Sequence, residues 1–309
     1  MTRFNNGKTI QSALIVSGLL ISASGFGVTS SKEFGVDLVN PSQYRALDNS
    51  TSGQYTNQSI SEESKSEDAS SESSINSNEV SAFGKYNLPY GFYAGAQVDY
   101  AIIKAENDDF DSESSSVRAK PFLGYGINDN WTVAYEAEVE QINPDEDAEL
   151  ELDDEQTVVH TLGASFANEK FEAGAVYKTE DESDIVFKPQ TLIFHGKVML
   201  TDSLNVGGNI KQEDSDGAER ITTTLTSAYS LNPMWDFEGA LGYGLGTDDD
   251  VDESTILTSV GAYLNVKENV RLGTTISYST QETEVDLAGF DSTDTRNGLA
   301  FALNANYRF

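Results

Sequence analysis

The sequence predicts an all-β protein, an antiparallel up-and-down transmembrane β-barrel of about fourteen strands. Three observations predict this fold. Apolar and polar residues alternate with a period of two from Glu79 to the C-terminus, which is typical of strands with one apolar and one polar face. Short turns alternate with long acidic segments, as in a series of hairpins. Aromatic residues fall near strand ends on the apolar face, as in barrels that cross a membrane.

The first 25 residues have the three parts of a secretory signal peptide. Arg3 and Lys8 precede an apolar run at residues 12–23, and small residues follow it. This order of a basic start, a short apolar core and a small-residue exit is typical of export signals. The core is shorter than the ~20 residues that a spanning helix needs, although an uncleaved anchor helix is the alternative. We expect cleavage between residues 23 and 27.

Residues 26–78 form an N-terminal segment without steady alternation. The part from residue 50 onward is rich in Ser and Glu and almost free of apolar residues, a composition expected of a disordered or mobile loop. Two stretches in this segment are candidates for a first strand. Residues 33–39 are patterned but short, and residues 52–60 are better placed but hardly apolar.

From residue 79 to residue 309, the sequence predicts the barrel itself. The apolar residues of each strand occupy every second position, as Trp131, Val133 and Tyr135 do. The predicted strands lie near residues 79–88, 92–106, 116–127, 131–142, 157–168, 171–179, 190–201, 204–213, 220–231, 235–247, 254–266, 270–282 and 298–309. Short turns are predicted at 88–91, 128–130, 168–170, 201–203, 232–234 and 267–269, and the remaining connections are longer and acidic.

The polar face distinguishes a membrane barrel from a soluble β-sandwich. A sandwich exposes ordinary Lys- and Glu-rich surface, whereas this polar face is mostly small, as at Thr222, Thr224 and Thr226. Strands of about 9–11 tilted residues cross a bilayer, and a sheet in hydrocarbon has to close so that every backbone group is paired. The aromatic residues expected in the two girdles include Phe92, Trp131, Phe171, Trp235, Tyr243, Tyr278, Tyr307 and Phe309.

The chain ends in NANYRF, with aromatic residues at Tyr307 and Phe309. This ending resembles the C-terminal assembly signal of Gram-negative outer-membrane β-barrel proteins of the porin type. It departs from that pattern at Asn304, where Gly is usual, and at Ala302, where a polar residue is usual. The resemblance implies an outer-membrane location, contact with lipid and lipopolysaccharide, and recognition of the last strand by the outer-membrane assembly machinery. It also implies periplasmic short turns and extracellular acidic loops.

Parity then predicts the number of strands. If the last strand ends in the periplasm, the strand at 79–88 also runs inward. A closed single-chain barrel of this kind has an even number of strands, so one further strand has to precede residue 79. Fourteen strands are therefore predicted. The alternative is twelve, which would apply if one hairpin has been divided into too many strands.

Composition excludes several functions. A formal charge of -32 disfavours nucleic acid, and the absence of cysteine excludes disulfides and thiol chemistry. His160 and His195 are the two histidines, and no nucleophile lies at a suggestive spacing from either. We therefore predict no catalytic residue, no cofactor and no resident metal. An acyl hydrolase that uses His195 is one alternative, and calcium bound by the acidic loops is another.

Charged residues on the polar register are the candidate pore-lining residues. We expect a porin-type channel for passive diffusion of small hydrophilic solutes or ions, with a mild cation preference because acidic loops surround its mouth. The alternative is a non-conducting surface or adhesion barrel that acts through those loops. The predicted pore-lining residues are Lys85, Asp99, Arg118, Lys120, Glu136, Glu138, Glu140, Glu172, Lys178, Lys197, Lys211, Arg220, Asp236, Glu238, Arg271 and Arg308.

Overall fold

The structure is a computed structural model that describes part of the 309-residue chain. The described residues are 49–66, 69–107, 110–144, 155–181, 190–215, 218–248, 251–287 and 290–309. The predicted signal peptide, its cleavage site and the candidate strand at 33–39 lie outside these ranges. In the described ranges, no helix is long and apolar enough to cross a membrane.

Fourteen antiparallel strands make up the fold, as predicted. They are β1 (Ser50–Ser66), β2 (Ala69–Asn87), β3 (Phe92–Asn107), β4 (Phe110–Gly126), β5 (Trp131–Pro144), β6 (Glu155–Ala167), β7 (Phe171–Asp181), β8 (Gln190–Thr201), β9 (Leu204–Ser215), β10 (Ala218–Asn232), β11 (Trp235–Asp248), β12 (Val251–Lys267), β13 (Val270–Leu287) and β14 (Phe290–Arg308). A single 3-10 turn, Pro89–Gly91, connects β2 to β3.

The sheet closes because the last strand pairs with the first. β1 pairs with β14 from Ser50 opposite Arg308 to Ser66 opposite Ser292, and every other strand pairs with its neighbours in the sequence. Closure removes the free edges that would otherwise expose unpaired backbone groups. In hydrocarbon this is required, since no water is present to satisfy those groups. The prediction of a closed barrel is therefore confirmed.

The first two strands correct the expectation of a disordered loop before residue 79. Residues 50–66 and 69–87 are strands, so the barrel begins at Ser50 and the candidate stretch 52–60 lies within β1. The expectation was wrong because it judged the segment by its own apolar content. In a closed barrel, a strand of polar residues is stabilised by backbone hydrogen bonds to both neighbours, here β14 and β2.

An apolar belt covers the outer surface of the barrel from β3 to β14. Large apolar side chains at alternate positions are exposed on the outer surface, for example Leu299, Phe301 and Leu303 on β14. Aromatic residues flank this belt on both sides. The predicted aromatic residues Phe92, Trp131, Phe171, Trp235, Tyr243, Tyr278, Tyr307 and Phe309 are all exposed there. An apolar band between two aromatic girdles is the outer surface of a transmembrane barrel.

In three of the short turns, an asparagine side chain accepts two backbone hydrogen bonds in the same way. Asn128 Oδ1 accepts hydrogen bonds from the backbone N–H groups of Asn130 and Trp131, at 2.9 Å each. Asn168 and Asn232 form the same pair of bonds at their own turns. Because the side chain satisfies two backbone donors, the chain reverses in a few residues. Each turn thus leads directly into an aromatic residue of the girdle. We call this end of the barrel the turn end, and the opposite end the loop end.

The strands differ in length around the barrel. β1 to β4 have 16–19 residues and β12 to β14 have 17–19, whereas β6 to β9 have 11–13. The longer strands continue past the apolar belt at the loop end. Acidic segments that the sequence assigns to loops lie partly in these strands, as Glu113, Glu253 and Glu284 do. Much of the remainder lies outside the described residues.

Candidate functional site: the inner wall of the barrel

The predicted pore-lining residues all occupy the inward register of their strands. Their direct neighbours in the chain carry the exposed outer side chains, as Ile210 and Gln212 do on either side of Lys211, and side chains alternate between the faces of a strand. The residues so placed are Lys85, Asp99, Arg118, Lys120, Glu136, Glu138, Glu140, Glu172, Lys178, Lys197, Lys211, Arg220, Asp236, Glu238, Arg271 and Arg308. That they line an open and conducting pore stays a prediction.

Ion pairs between β4 and β5 hold the acids of β5 in place. Arg118 contacts Glu138 through Nε at 3.1 Å and Glu140 through Nη2 at 3.1 Å. Lys120 Nζ lies 3.5 Å from Glu138 Oε2. Because these side chains are largely buried, loss of one partner would leave a poorly hydrated charge. The inner faces of β2 to β5, which carry Lys85, Asp99, Arg118, Lys120, Glu136, Glu138 and Glu140, are called the ionic wall below.

Two tyrosines on the inner face lie directly against glycines of a neighbouring strand. A Cβ atom added to Gly124 on β4 would lie 2.0 Å from Tyr93 Cζ. At Gly273 on β13, it would lie 2.2 Å from Tyr263 Cδ1. Any larger residue at either position would force the ring to move. Each ring is therefore held against the barrel wall.

A cation accompanies each of these rings. Lys85 Nζ lies 5.7 Å from the centroid of the Tyr93 ring, and Arg271 Cζ lies 4.3 Å from that of Tyr263. Both distances fall within the range of cation–π attraction. Arg271 also contacts Asp236 Oδ2 at 3.3 Å. Two similar assemblies of cation, ring and glycine thus stand at separate places around the turn end.

Other inward charges are paired locally as well. The pairs are Lys197 with Glu172 at 3.1 Å, Lys211 with Glu213 at 2.7 Å, and Arg220 with Glu253. The sequence suggests an acidic wall on β5 facing a basic run from residue 178 to residue 220. The structure shows instead that Glu138 and Glu140 pair with bases of β4, and that Lys197, Lys211 and Arg220 each pair with an acid within two strands. Local pairing weakens any field across the lumen.

Small residues line another part of the lumen. On the inner faces of β10 and β11, Thr222 lies opposite Gly244, Thr224 opposite Gly242, and Thr226 opposite Ala240. These rows carry no long side chain, so the backbone itself approaches the lumen. The inner faces of β10 and β11 over residues 222–226 and 240–246 are called the small-residue wall below.

Some charged residues of the inner wall were missed by the sequence analysis. Arg296 on β14 contacts Glu62 on β1 at 3.0 Å, and both positions fall outside the predicted strands. Glu79, Glu253 and Asp294 lie on the inward register too. The alternation that identified the others extends through these residues. Glu62, Glu253, Asp294 and Arg296 were overlooked because β1 has no apolar face and because the ends of β12 and β14 are acidic. Glu79 and Glu213 lie at the ends of predicted strands and were not included.

The two histidines lie on different faces. His160 is on the outer face of β6, where its Nδ1 lies 2.7 Å from the hydroxyl oxygen of Tyr135. His195 is on the inner face of β8 and lies against Gly174, at which an added Cβ would be 2.5 Å from His195 Cε1. The alternation in the sequence predicts that His160 faces lipid and His195 faces the lumen, and both placements agree with it. The two rings therefore do not form one site.

The C-terminal residues lie at the turn end. Tyr307 and Phe309 are exposed on the outer face, and the Phe309 ring lies 5.5 Å from the ring of Tyr86. Arg308 points to the other side, into a recess of about 320 Å³ that is lined by Asn49, Asn87, Glu268, Asn269, Arg308 and Phe309. The predicted alternation of the last strand is therefore present up to its end.

No protein-family profile and no curated protein matches this chain. Solved structures do resemble it. A FadL homologue from Pseudomonas aeruginosa has 10% sequence identity and a TM-score of 0.65, with 87% of this chain and 93% of that chain covered. The toluene transporter TodX from P. putida has 10% identity and a TM-score of 0.63, with 87% and 92% covered.

A third similar structure is the monoaromatic hydrocarbon channel CymD, at 11% identity and a TM-score of 0.59, with 87% of this chain and 91% of that chain covered. At such identity, the likeness shows the fold alone. The chain has the closed fourteen-stranded fold of outer-membrane β-barrels. This agrees with the resemblance suggested by its C-terminal residues.

Proposed function

We propose that the protein is an outer-membrane channel through which small hydrophilic solutes and ions diffuse passively. The observation that carries this proposal is the inner wall, which has charged side chains on most strands and only Thr, Gly and Ala over part of β10 and β11. Polar surface favours water inside the barrel. A fourteen-stranded ring is also wider than the eight-stranded barrels whose side chains fill the interior. Transport of this kind needs no catalysis and no cofactor.

The channel prefers cations mildly. Nine bases and seven acids are among the sixteen predicted residues, but adding the missed base Arg296 and the missed acids Glu62, Glu79, Glu213, Glu253 and Asp294 gives ten bases and twelve acids on the described inner wall. Acidic residues are also frequent at the loop end. Negative charge at a pore mouth raises the local cation concentration.

Export and assembly follow from the ends of the chain. The N-terminal signal directs the protein across the inner membrane. Tyr307 and Phe309 present the last strand to the outer-membrane assembly machinery, and the finished barrel contacts lipid and lipopolysaccharide through its belt. Supporting this, both residues are exposed at the turn end of the barrel.

Planar lipid bilayers test the proposal. The refolded protein is expected to give stepwise currents, and a KCl gradient is expected to give a reversal potential of the sign for cation preference. Liposomes that contain the protein are expected to swell in small sugars at a rate that falls with sugar size. Currents with the anion-preferring sign would contradict the selectivity, and no current with no swelling would contradict the channel.

A second candidate is a channel for small aromatic compounds. Two observations favour it: TodX and CymD are described as a toluene transporter and a monoaromatic hydrocarbon channel, and the inner wall carries stacked rings of Phe83 and Phe122, 5.8 Å apart. Uptake of a monoaromatic hydrocarbon by cells that express the protein distinguishes the candidates. Uptake without ionic current would favour the second.

The third candidate is a surface or adhesion barrel without conduction. For such a protein, we expect neither ionic current nor solute uptake, although the protein would still show the heat-dependent gel migration of a folded barrel. In that case, the acidic residues at the loop end would be the functional surface.

A further inference from the structure

The outer face of β1 is polar at the level of the bilayer. Its outward residues lie in the same hydrogen-bonded rows as the apolar belt of β14. The pairs are Thr51 with Tyr307, Gly53 with Ala305, Tyr55 with Leu303, Asn57 with Phe301 and Ser59 with Leu299. Rows that present Leu and Phe to lipid on β14 therefore present Asn, Ser and the amphipathic Tyr55 on β1, and the rows nearer the turn end present Thr and Gly.

The polar surface continues onto β2 and ends at β3. Asn57 lies opposite Asn78, Ser59 opposite Asn76, and Thr51 opposite Gly84. On the far side, Asn78 lies opposite Ile102 of β3, where the apolar belt resumes. The outward residues at this level of the two strands are called the β1–β2 patch, in which Val80 is the one large aliphatic side chain: Thr51, Gly53, Tyr55, Asn57, Ser59, Asn76, Asn78, Val80, Ala82 and Gly84.

Hydrogen bonding within the patch is incomplete. The Tyr55 hydroxyl donates to Asn78 Oδ1 at 2.8 Å, and Asn57 Nδ2 donates to the same oxygen at 3.0 Å. Among the described residues, this leaves the Asn78 amide N–H groups and the Asn57 amide oxygen without a side-chain partner. An amide carries both donors and an acceptor, and leaving them unpaired in hydrocarbon is unfavourable. The patch is therefore better suited to another polar protein surface than to acyl chains.

We propose that the β1–β2 patch is the interface through which two copies of this chain associate side by side in the membrane. A surface that carries amide donors and acceptors together is complementary to itself, as a twofold contact requires. Gly53, Ala82 and Gly84 leave the backbone close to the surface, and small residues of this kind let membrane proteins approach closely. These two properties favour a second copy over lipid.

Charges above the belt are consistent with the same arrangement. Glu63 on β1 lies directly opposite Glu72 on β2, so two like charges are adjacent. Lys65 Nζ lies 2.8 Å from Glu63 Oε1. A twofold axis along the membrane normal places residues of the two copies at the same depth relative to the membrane. Lys65 of each copy therefore approaches Glu72 of the other. Each acid then has an opposite charge nearby.

Crosslinking in liposomes tests the interface. The chain has no cysteine, so N57C introduces a single thiol into the patch. V260C is the matched control, because Val260 is an outward belt residue on β12 with 63% exposure. At a low protein-to-lipid ratio, oxidation is expected to give a disulfide-linked dimer with N57C and little or none with V260C. Equal crosslinking of the two variants, or none with N57C, would overturn the proposal.

A second measurement does not depend on thiols. The N57L/N78L variant replaces both amides by side chains suited to lipid, and the barrel is expected to fold normally, as heat-dependent migration on gels would show. Native mass spectrometry is expected to give a dimer for the unmodified chain and a monomer for the variant. The proposal would be overturned if the unmodified chain were monomeric or the variant dimeric. It would also be overturned if the unmodified chain associated only with another protein or only with lipopolysaccharide. Single-channel current is measured in a separate experiment. Failure of the dimer proposal can therefore be distinguished from failure of the proposed channel function.

Discussion

The ionic wall and the small-residue wall belong to one sheet but build their inner surfaces in opposite ways. On the ionic wall, long side chains are held against the barrel by partners on the next strand, as Arg118 is by Glu138 and Glu140. On the small-residue wall, Thr224 lies opposite Gly242, with no long side chain to hold. The first wall places charge, and the second leaves space. Charged side chains also occur on the inner faces of other strands, but residues 222–226 and 240–246 carry none.

Filling the open side has the largest expected effect. The T224W variant places a bulky ring on the small-residue wall, and we expect single-channel conductance to fall severalfold because the passage narrows. T223W is the matched control, since Thr223 is the next residue on the same strand and faces outward. It is expected to conduct like the unmodified protein. Equal conductance of all three proteins would show that this wall does not border the passage.

The faces of the strands could be predicted from the sequence because alternation alone decides them. Lys211, for example, faces inward because the residues on either side of it in the chain face outward, and this holds whichever strands lie next to β9. Partners across strands could not be predicted in this way. That Arg118 lies opposite Glu140 depends on the register of β4 against β5, and a shift of one residue would turn every side chain of a strand to the other face.

Strand β1 is the part of the fold that the sequence predicted least well. Its polar outer residues hid it from a method that relies on apolar alternation, yet parity required a strand there. What the sequence could not show is that this strand needs no apolar face of its own, because β14 and β2 supply its backbone partners. The salt bridge between Glu62 and Arg296 was missed for the same reason.

Breaking the ionic wall is expected to have the next largest effect. R118A leaves Glu138 and Glu140 without their main partner, so the reversal potential should move toward stronger cation preference. Unfolding by urea in lipid vesicles should show a loss on the order of 1–3 kcal/mol, below the values for fully dry pairs because the lumen is wet. R220A, which removes a partner of Glu253 alone, is expected to change both quantities less. The reverse order would show that the ion pairs of the ionic wall are not the more important ones.

Glycine contacts distinguish the two walls more finely. G124A brings a methyl group against Tyr93 on the ionic wall, where an added Cβ has no room. We expect the ring to be displaced into the lumen, with a lower conductance and a loss of about 1–3 kcal/mol in the free energy of unfolding. G246A on β11 is the control, because the nearest atom to its added Cβ is 3.4 Å away, and it should change little. Similar effects of both substitutions would be evidence against a specific role for the Tyr93 contact.

An exposed pair outside both walls gives the smallest expected effect. Lys104 Nζ lies 2.7 Å from Glu113 Oε2, with about half of each side chain exposed. Because water screens such pairs, K104A is expected to change stability less than any other substitution named here and to leave conductance unchanged. Urea unfolding and bilayer recording both test this. A large effect would mean that the barrel above the belt matters more than its inner wall.

Cysteine scanning of β10 tests the central claim most directly, which is that the inward register borders the solute path. Single cysteines at residues 221–226 are introduced into a chain that has none, and a water-soluble, charged thiol reagent is added during single-channel recording. The account predicts that current falls at 222, 224 and 226 and is unchanged at 221, 223 and 225. Block at the outward positions, or reaction at the inward positions without any change in current, would contradict it.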